Sequence, residues 1–237
     1  TPANGLLDTR IIKIFQDSRG LIYFLTWEGI SIFDGKRFTN ISEYNGESLG
    51  LVNDMIQWKG DTSYVFTFQK GIFKLVNNRL IKDSLFNKIY EPNRVLKIDN
   101  NQWLITSNTG LFEWNGQNCN PVFQGQTGKT QYGIDYAAYK SGYLLYLDQG
   151  SKTLRLLHLA SRKITDSISG KKIYNITGGQ GNNIFINLNN KWQQLTTKAM
   201  QEGKLILEPL YFASMLPHGF TIDNLFISEK KLWLYDY

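Results

Sequence analysis

The sequence predicts an all-β protein assembled from repeated four-stranded antiparallel units. Three observations carry the prediction: a repeat of about 40 residues, short apolar runs separated by tight-turn signals, and poor helical periodicity. Asp17-Ser18-Arg19-Gly20 leads into residues 21–25, then Thr26 and Gly29-Ile30-Ser31-Ile32-Phe33. Lys59-Gly60-Asp61 leads in the same way to residues 64–66, Thr67 and Gly71-Ile72-Phe73. Asp99-Asn100-Asn101 leads to residues 102–105, Thr106 and Gly110-Leu111-Phe112. The threonines lie 41 and 39 residues apart and the glycines 42 and 39.

The elements follow in order. Residues 11–15, 21–25, 30–33 and 38–41 read as four strands, with Asp34-Gly35 as the hairpin signal between the last two. A meander of this length is the size of one propeller blade. A second unit has Asn77-Asn78 where the first has Asp-Gly, and a third has Asn115-Gly116. The fourth is more degraded, with strands at 134–140, 143–147, 154–159 and 163–168 and a turn at Asp148-Gln149-Gly150. The fifth turns at 178–183 and at Asn189-Asn190, then carries an irregular stretch around 198–217; residues 196–201 are the one short helix candidate. A sixth begins at Thr221, turns at Ser228-Glu229-Lys230-Lys231 and holds Leu232-Trp233-Leu234-Tyr235. The expectation is a single β-propeller domain over 1–237, with blades at about 7–50, 51–93, 94–133, 134–170 and 171–220 and a partial sixth at 221–237. An open ring exposes strand edges, so five and a half blades are expected to be a fragment of a larger propeller.

The bulk composition agrees with a folded chain. Hydrophobic residues make up 42% and charged residues 19%, which excludes a disordered protein. The 14% of aromatic residues are expected mostly as filling between sheets. A net charge of +6 is spread thinly, and Lys171-Lys172 and Lys230-Lys231 are too short to form a nucleic-acid patch. Cys119, the only cysteine, excludes an internal disulfide and a cysteine-based metal cluster. No apolar run is long enough to span a membrane, and Thr1-Pro2-Ala3-Asn4 lacks the features of a signal peptide.

Residues 5–38 go further than generic β. They resemble the two-component regulator propeller repeat, with Asp17, Gly20, Thr26, Gly29, Phe33, Asp34, Gly35 and Phe38 matching. The chain departs in having Leu25 where that repeat has Gly, and Tyr23 where Trp is usual; Trp103 and Trp233 are read as keeping that Trp. The match is good in repeats one and three, fair in two, and poor in four and five. The resemblance implies a periplasmic sensor region of the kind found in Bacteroidetes-type histidine kinases and hybrid two-component regulators. Some members of that family respond to oligosaccharides. None of the kinase parts is in this chain, so the resemblance implies an input module only.

Enzymatic signatures are weak. His158 and His218 are the only histidines, with no third ligand spaced near either. Gly125-Gln126-Thr127-Gly128-Lys129-Thr130 imitates a phosphate loop, but Phe123 stands where the first glycine is needed and no helix follows. Gly178-Gly179-Gln180-Gly181 reads as a turn, and Asp223 with Glu229 is a carboxylate pair of unreadable separation. No catalytic residue, metal or cofactor is assigned.

Loops on a rigid scaffold carry function. In a four-stranded meander the loops after the second and fourth strands share one face. That face is expected to collect Trp27, Glu28, Tyr44, Gln69, Lys70, Tyr90, Asn108, Tyr132 and Asp148. Rings beside amides and carboxylates suit a sugar, whose apolar face stacks while its hydroxyls are hydrogen-bonded. The expected function is a non-catalytic extracytoplasmic sensor segment. Its expected partners are an oligosaccharide or other small ligand, other domains of the same ectodomain, and a second copy in a homodimer. The competing readings are a propeller lyase or glycoside hydrolase and a plain protein–protein scaffold.

Overall fold

The computed structural model describes residues 5–99, 101–124, 134–140, 142–148, 150–178, 184–189, 191–196, 202–210, 224–228 and 231–235. The chain falls into two compact units, Thr1–Gly128 and Lys129–Tyr237.

The first unit holds three four-stranded sheets. Sheet one is β1 (Ile11–Gln16), β2 (Ile22–Thr26), β3 (Ile30–Phe33) and β4 (Phe38–Ile41), followed by a ribbon of β5 (Glu43–Tyr44) and β6 (Glu47–Ser48). Sheet two is β7 (Val52–Lys59), β8 (Thr62–Thr67), β9 (Gly71–Val76) and β10 (Arg79–Lys82). Sheet three is β11 (Pro92–Lys97), β12 (Trp103–Ser107), β13 (Gly110–Trp114) and β14 (Cys119–Gln124). The second unit holds β15 (Ile134–Lys140), β16 (Tyr143–Asp148), β17 (Thr153–His158) and β18 (Lys163–Ile168) as one sheet. A second sheet there is β19 (Ile173–Gly178), β20 (Ile184–Leu188), β21 (Lys191–Leu195) and β22 (Leu207–Pro209), and β23 (Asn224–Ser228) pairs with β24 (Lys231–Tyr235). All five large sheets are meanders in chain order. The helix candidate at 196–201 lies outside the described residues but for Thr196.

Turn chemistry explains the meanders. Asp34 closes β3–β4 by accepting the Lys36 and Arg37 amides at 2.8 and 2.7 Å, and Asn115 repeats the device on Gln117 and Asn118 at 3.1 and 2.9 Å. Asn77 and Asn78 sit at φ 49° and 61°, the left-handed pair that a two-residue hairpin requires.

In each of the five large sheets the first strand pairs with the second through a β-bulge at its start. The register shifts between Ile11 and Lys13, Val52 and Asp54, Pro92 and Arg94, Ile134 and Ala137, and Ile173 and Asn175. This shared irregularity aligns the repeats better than sequence does. It sets Thr26, Thr67 and Ser107 in one column, opposite Ile11, Val52 and Pro92. Their hydroxyls do the same work: Thr26 Oγ1 donates to the Gly29 carbonyl at 2.9 Å, Thr67 Oγ1 to Gly71 at 2.8 Å and Ser107 Oγ to Gly110 at 3.3 Å. The third repeat is therefore one residue out of step with the expected threonine spacing. Thr106 instead accepts the Arg94 amide within its sheet. Trp103 shifts accordingly: it pairs with Trp114 as Ile22 pairs with Phe33 and Ser63 with Leu75, so it occupies the Ile22 column and not that of Tyr23.

Packing explains the slip. Sheet one turns Tyr23, Leu25, Ile30 and Ile32 onto Met55, Val65, Phe73 and Leu75 of sheet two. The other face of sheet two turns Tyr64, Phe66 and Ile72 onto Val95, Trp103, Ile105 and Trp114 of sheet three. A tryptophan in the Tyr23 column would lie on the opposite face. Trp103 and Trp114 lie with centroids 4.0 Å apart and their rings tilted by 38°, and Trp58 meets Trp114 edge-on at 4.2 Å. The second unit has an aliphatic core that includes Leu145, Leu156, Ile176, Ile186 and Leu195. Polar contacts tie consecutive first strands in the first unit. Buried Asp54 on β7 accepts Lys13 of β1 and the Val95 amide of β11, the latter at 3.0 Å.

Candidate functional site

In sheet two, the β8–β9 loop and the β10–β11 connection converge on one pocket. The strand-closing bonds of Thr67 to Gly71 and to the Lys70 amide shape residues 68–70. The connection begins with a 3₁₀ turn, Ser84–Phe86, capped by Asp83, whose Oδ1 accepts the Leu85 amide at 3.1 Å. It ends at Glu91, held at φ 48°, a left-handed conformation uncommon for a glutamate.

The pocket has a volume of about 230 Å³. This is below the ~300–1,000 Å³ of drug-sized sites and suits one small unit of a ligand. Buried Ile72, Phe86 and Ile89 form its apolar floor. Gln69, Lys70, Lys82, Asn87 and Tyr90 stand around it, and the Tyr90 residue is 58% exposed. Two carboxylates also line it, and both are already occupied. Asp83 takes Lys74 at 3.0 Å as well as the Leu85 amide, and Glu91 accepts the Asn108 side-chain amide.

Of the nine loop-face residues, Gln69, Lys70 and Tyr90 line this pocket. Asn108 stands behind it, bonded to Glu91 and accepting from Asn93 at 3.2 Å. Tyr44 is not on the loop face as a contact group: its ring meets Phe73 edge-on at 4.8 Å and belongs to the core between sheets one and two. Its neighbour Glu47, unanticipated from sequence, pairs with Lys70. Trp27 and Glu28 are engaged elsewhere, with the Arg10 guanidinium 5.3 Å from the Trp27 ring and 2.9 Å from the Glu28 carboxylate. Asp148, in the second unit, caps its own turn through Gly150 and Ser151 and binds Arg155 at 3.0 Å. Tyr132 lies outside the described residues, as do the phosphate-loop look-alike, His218, Asp223 and Glu229. His158 sits 2.9 Å from the Ser161 hydroxyl, and among the described residues no three of His, Cys, Asp and Glu gather as a metal site.

Sequence reasoning missed Lys82, Asn87 and Glu91. One usable signal was present: Asp83 followed by Ser-Leu-Phe is a capped turn, which marks a compact connection instead of a simple loop.

Repeated four-stranded meanders of this kind make the chain a β-propeller protein, and solved structures agree. An extracellular domain ascribed to the hybrid two component system BT3049 of B. thetaiotaomicron matches 99% of this chain at 15% identity with a TM-score of 0.54. One ascribed to the one component system BT4673 of the same organism matches 97% at 13% identity and 0.56. Virginiamycin B lyase from Staphylococcus aureus, crystallised as an inactive variant with quinupristin, matches 97% at 14% identity and 0.65. The chain spans 39%, 37% and 79% of these three structures in turn. It spans 62% of the WD40 propeller of Doa1. At these identities the likeness is one of fold. No family model and no curated protein matches the sequence. Among the described residues no helix is long and apolar enough to cross a membrane.

Proposed function

We propose that this chain is a non-catalytic sensor segment from the extracytoplasmic, periplasmic part of a signalling protein. It binds an oligosaccharide or other small ligand, or a neighbouring domain, and passes on a change in domain packing. Other domains of the same ectodomain and a second copy of the parent protein are its proposed partners. The observation that carries this reading is the near-complete coverage of the chain by two extracellular domains of signalling systems, together with the repeat resemblance in residues 5–38.

The likeness to a lyase favours one second reading, a propeller enzyme. One experiment separates them. The intact parent ectodomain is screened for hydrolase and lyase turnover and titrated calorimetrically against an oligosaccharide panel. Binding without turnover is expected, and turnover of any substrate overturns the sensor reading.

A further inference from the structure

Consecutive sheets within each unit meet in one fixed way. The Met55, Val65 and Phe73 face of sheet two lies on sheet one, and the Val95, Ile105 and Phe112 face of sheet three lies on sheet two. Register makes these the same face: Met55 pairs with Val65 and Val65 with Phe73, as Val95 pairs with Ile105 and Ile105 with Phe112. Ile176 and Ile186 repeat the first pair in the aliphatic core of the second unit. Sheet one carries this face too, as Ile14, Phe24 and Ser31, beside Phe33 and Phe38. There it is open. Met55, Val95 and Ile176 are 1%, 8% and 1% exposed, whereas Ile14 in the same place is 58% exposed. Phe38 lies 5.8 Å from Phe24 and 4.8 Å from Phe33 between ring centroids, and none of the three belongs to a core between sheets. Residues 5–7 cross the β3–β4 side of the face, where the Leu7 amide donates to Ser31 at 2.9 Å and Asn40 donates to the Gly5 carbonyl at 3.0 Å.

We propose that the Ile14, Phe24 and Phe33 face of sheet one is an interaction surface that seats a further four-stranded blade of the parent protein. That blade presents large apolar side chains, as sheet one presents Tyr23, Leu25, Ile30 and Ile32 to sheet two. The assignment goes beyond the sensor reading and does not rest on it. An apolar sheet face is buried by another layer, and one left open on a folded chain marks a contact site. Two features select a blade as the occupant. Each sheet interface in the first unit joins unlike faces, and a two-fold dimer through this surface would set the face against itself. Residues 5–7 also enter sheet one across this face, just as the β4–β7 connection enters sheet two by way of the core, with Tyr44 and Leu49 packed there.

The test places a thiol on the face. Ile14→Cys is labelled with a maleimide in this chain and in the intact parent ectodomain, and the labelled peptide is followed by mass spectrometry. Cys119, whose thiol burial pushes up to about 12, reacts too slowly to mask the new site. Labelling of Ile14→Cys is expected to be at least about tenfold slower in the parent than in the chain alone, at every protein concentration. Lys36→Cys, on an exposed turn, is expected to label equally fast in both. Ile14→Asp supplies a second readout: it is expected to lower the thermal midpoint of the parent and to leave that of the chain alone unchanged. Equal labelling of Ile14→Cys in the two proteins, or protection already present in the chain alone, overturns the assignment. So does protection in the parent that is lost on dilution, which would mark a second copy as the occupant, and so does an equal effect of Ile14→Asp on both proteins.

Discussion

Asp17 sits buried with its carboxylate under the Arg19 guanidinium, at 2.7 Å, and takes the Tyr23 hydroxyl at 3.1 Å. Burial pushes its pKa up, but the Arg19 side chain, the Leu21 and Arg19 amides and the Tyr23 hydroxyl outweigh it and hold the carboxyl below its ordinary value. A folded pKa below the unfolded one gives stability that is complete above the unfolded value and is lost as pH falls through the folded one. Unfolding midpoints should therefore decline below about pH 4. Asp17→Asn should cost roughly 2 kcal/mol at neutral pH and flatten that decline, as denaturant titrations at several pH values would show. Cys119 is governed by burial alone, which pushes its thiol up to about 12. It should resist a thiol reagent near pH 8 in the native protein and react once denaturant is added. Gly29 has φ 136°, and a Cβ there would lie 2.3 Å from the Ile41 carbonyl oxygen. Gly29→Ala should cost about 2 kcal/mol or more, read as a fall in thermal midpoint.

At the scale of elements, the strands were legible because each apolar run ends at a residue with a stated turn role. Asp34, Asn77-Asn78 and Asn115 bring their own turn geometry, so the meanders needed little help from elsewhere. The third repeat was misread by one residue because Thr106 and Ser107 both carry a hydroxyl able to close a hairpin. The bulge at Pro92/Arg94 decides between them, and a bulge has no signature in one sequence. Ser107→Ala should consequently loosen the β12–β13 hairpin by about 1 kcal/mol. Faster amide exchange at Thr109, whose N–H bonds the Ser107 hydroxyl at 3.1 Å, is the measurement.

At the scale of the molecule, stability in a repeat protein is close to a sum of units and nearest-neighbour interfaces. Trp103 is fully buried at the interface of sheets two and three. Trp103→Ala should cost about 3–5 kcal/mol. Hydrogen exchange should show the loss first in β8, β9, β12 and β13, while β16, β17 and β20, in the aliphatic core of the other unit, keep their protection longer. A uniform loss across both units would show instead that the chain unfolds as one body. The same nearest-neighbour logic explains why the loop face was only partly legible. Gln69, Lys70 and Tyr90 share a pocket because their loops leave the same end of the adjacent strands β9 and β10. Trp27 and Glu28, chosen on the same grounds, are taken up by Arg10 from their own repeat.

Read alone, the chain was enough to establish strands, turns, the repeat and the all-β class, because these depend on side-chain alternation and on turn residues acting within a few positions of themselves. Tertiary structure alone decided which face Trp103 occupies, that Tyr44 belongs to the core, and that Lys82, Asn87 and Glu91 join Tyr90 around a pocket. A one-residue slip reverses every side chain in a strand. The capped 3₁₀ turn after β10 has a local cause in Asp83, but which residues meet also depends on ion pairs between elements distant in sequence, such as Lys70 with Glu47, and those have none.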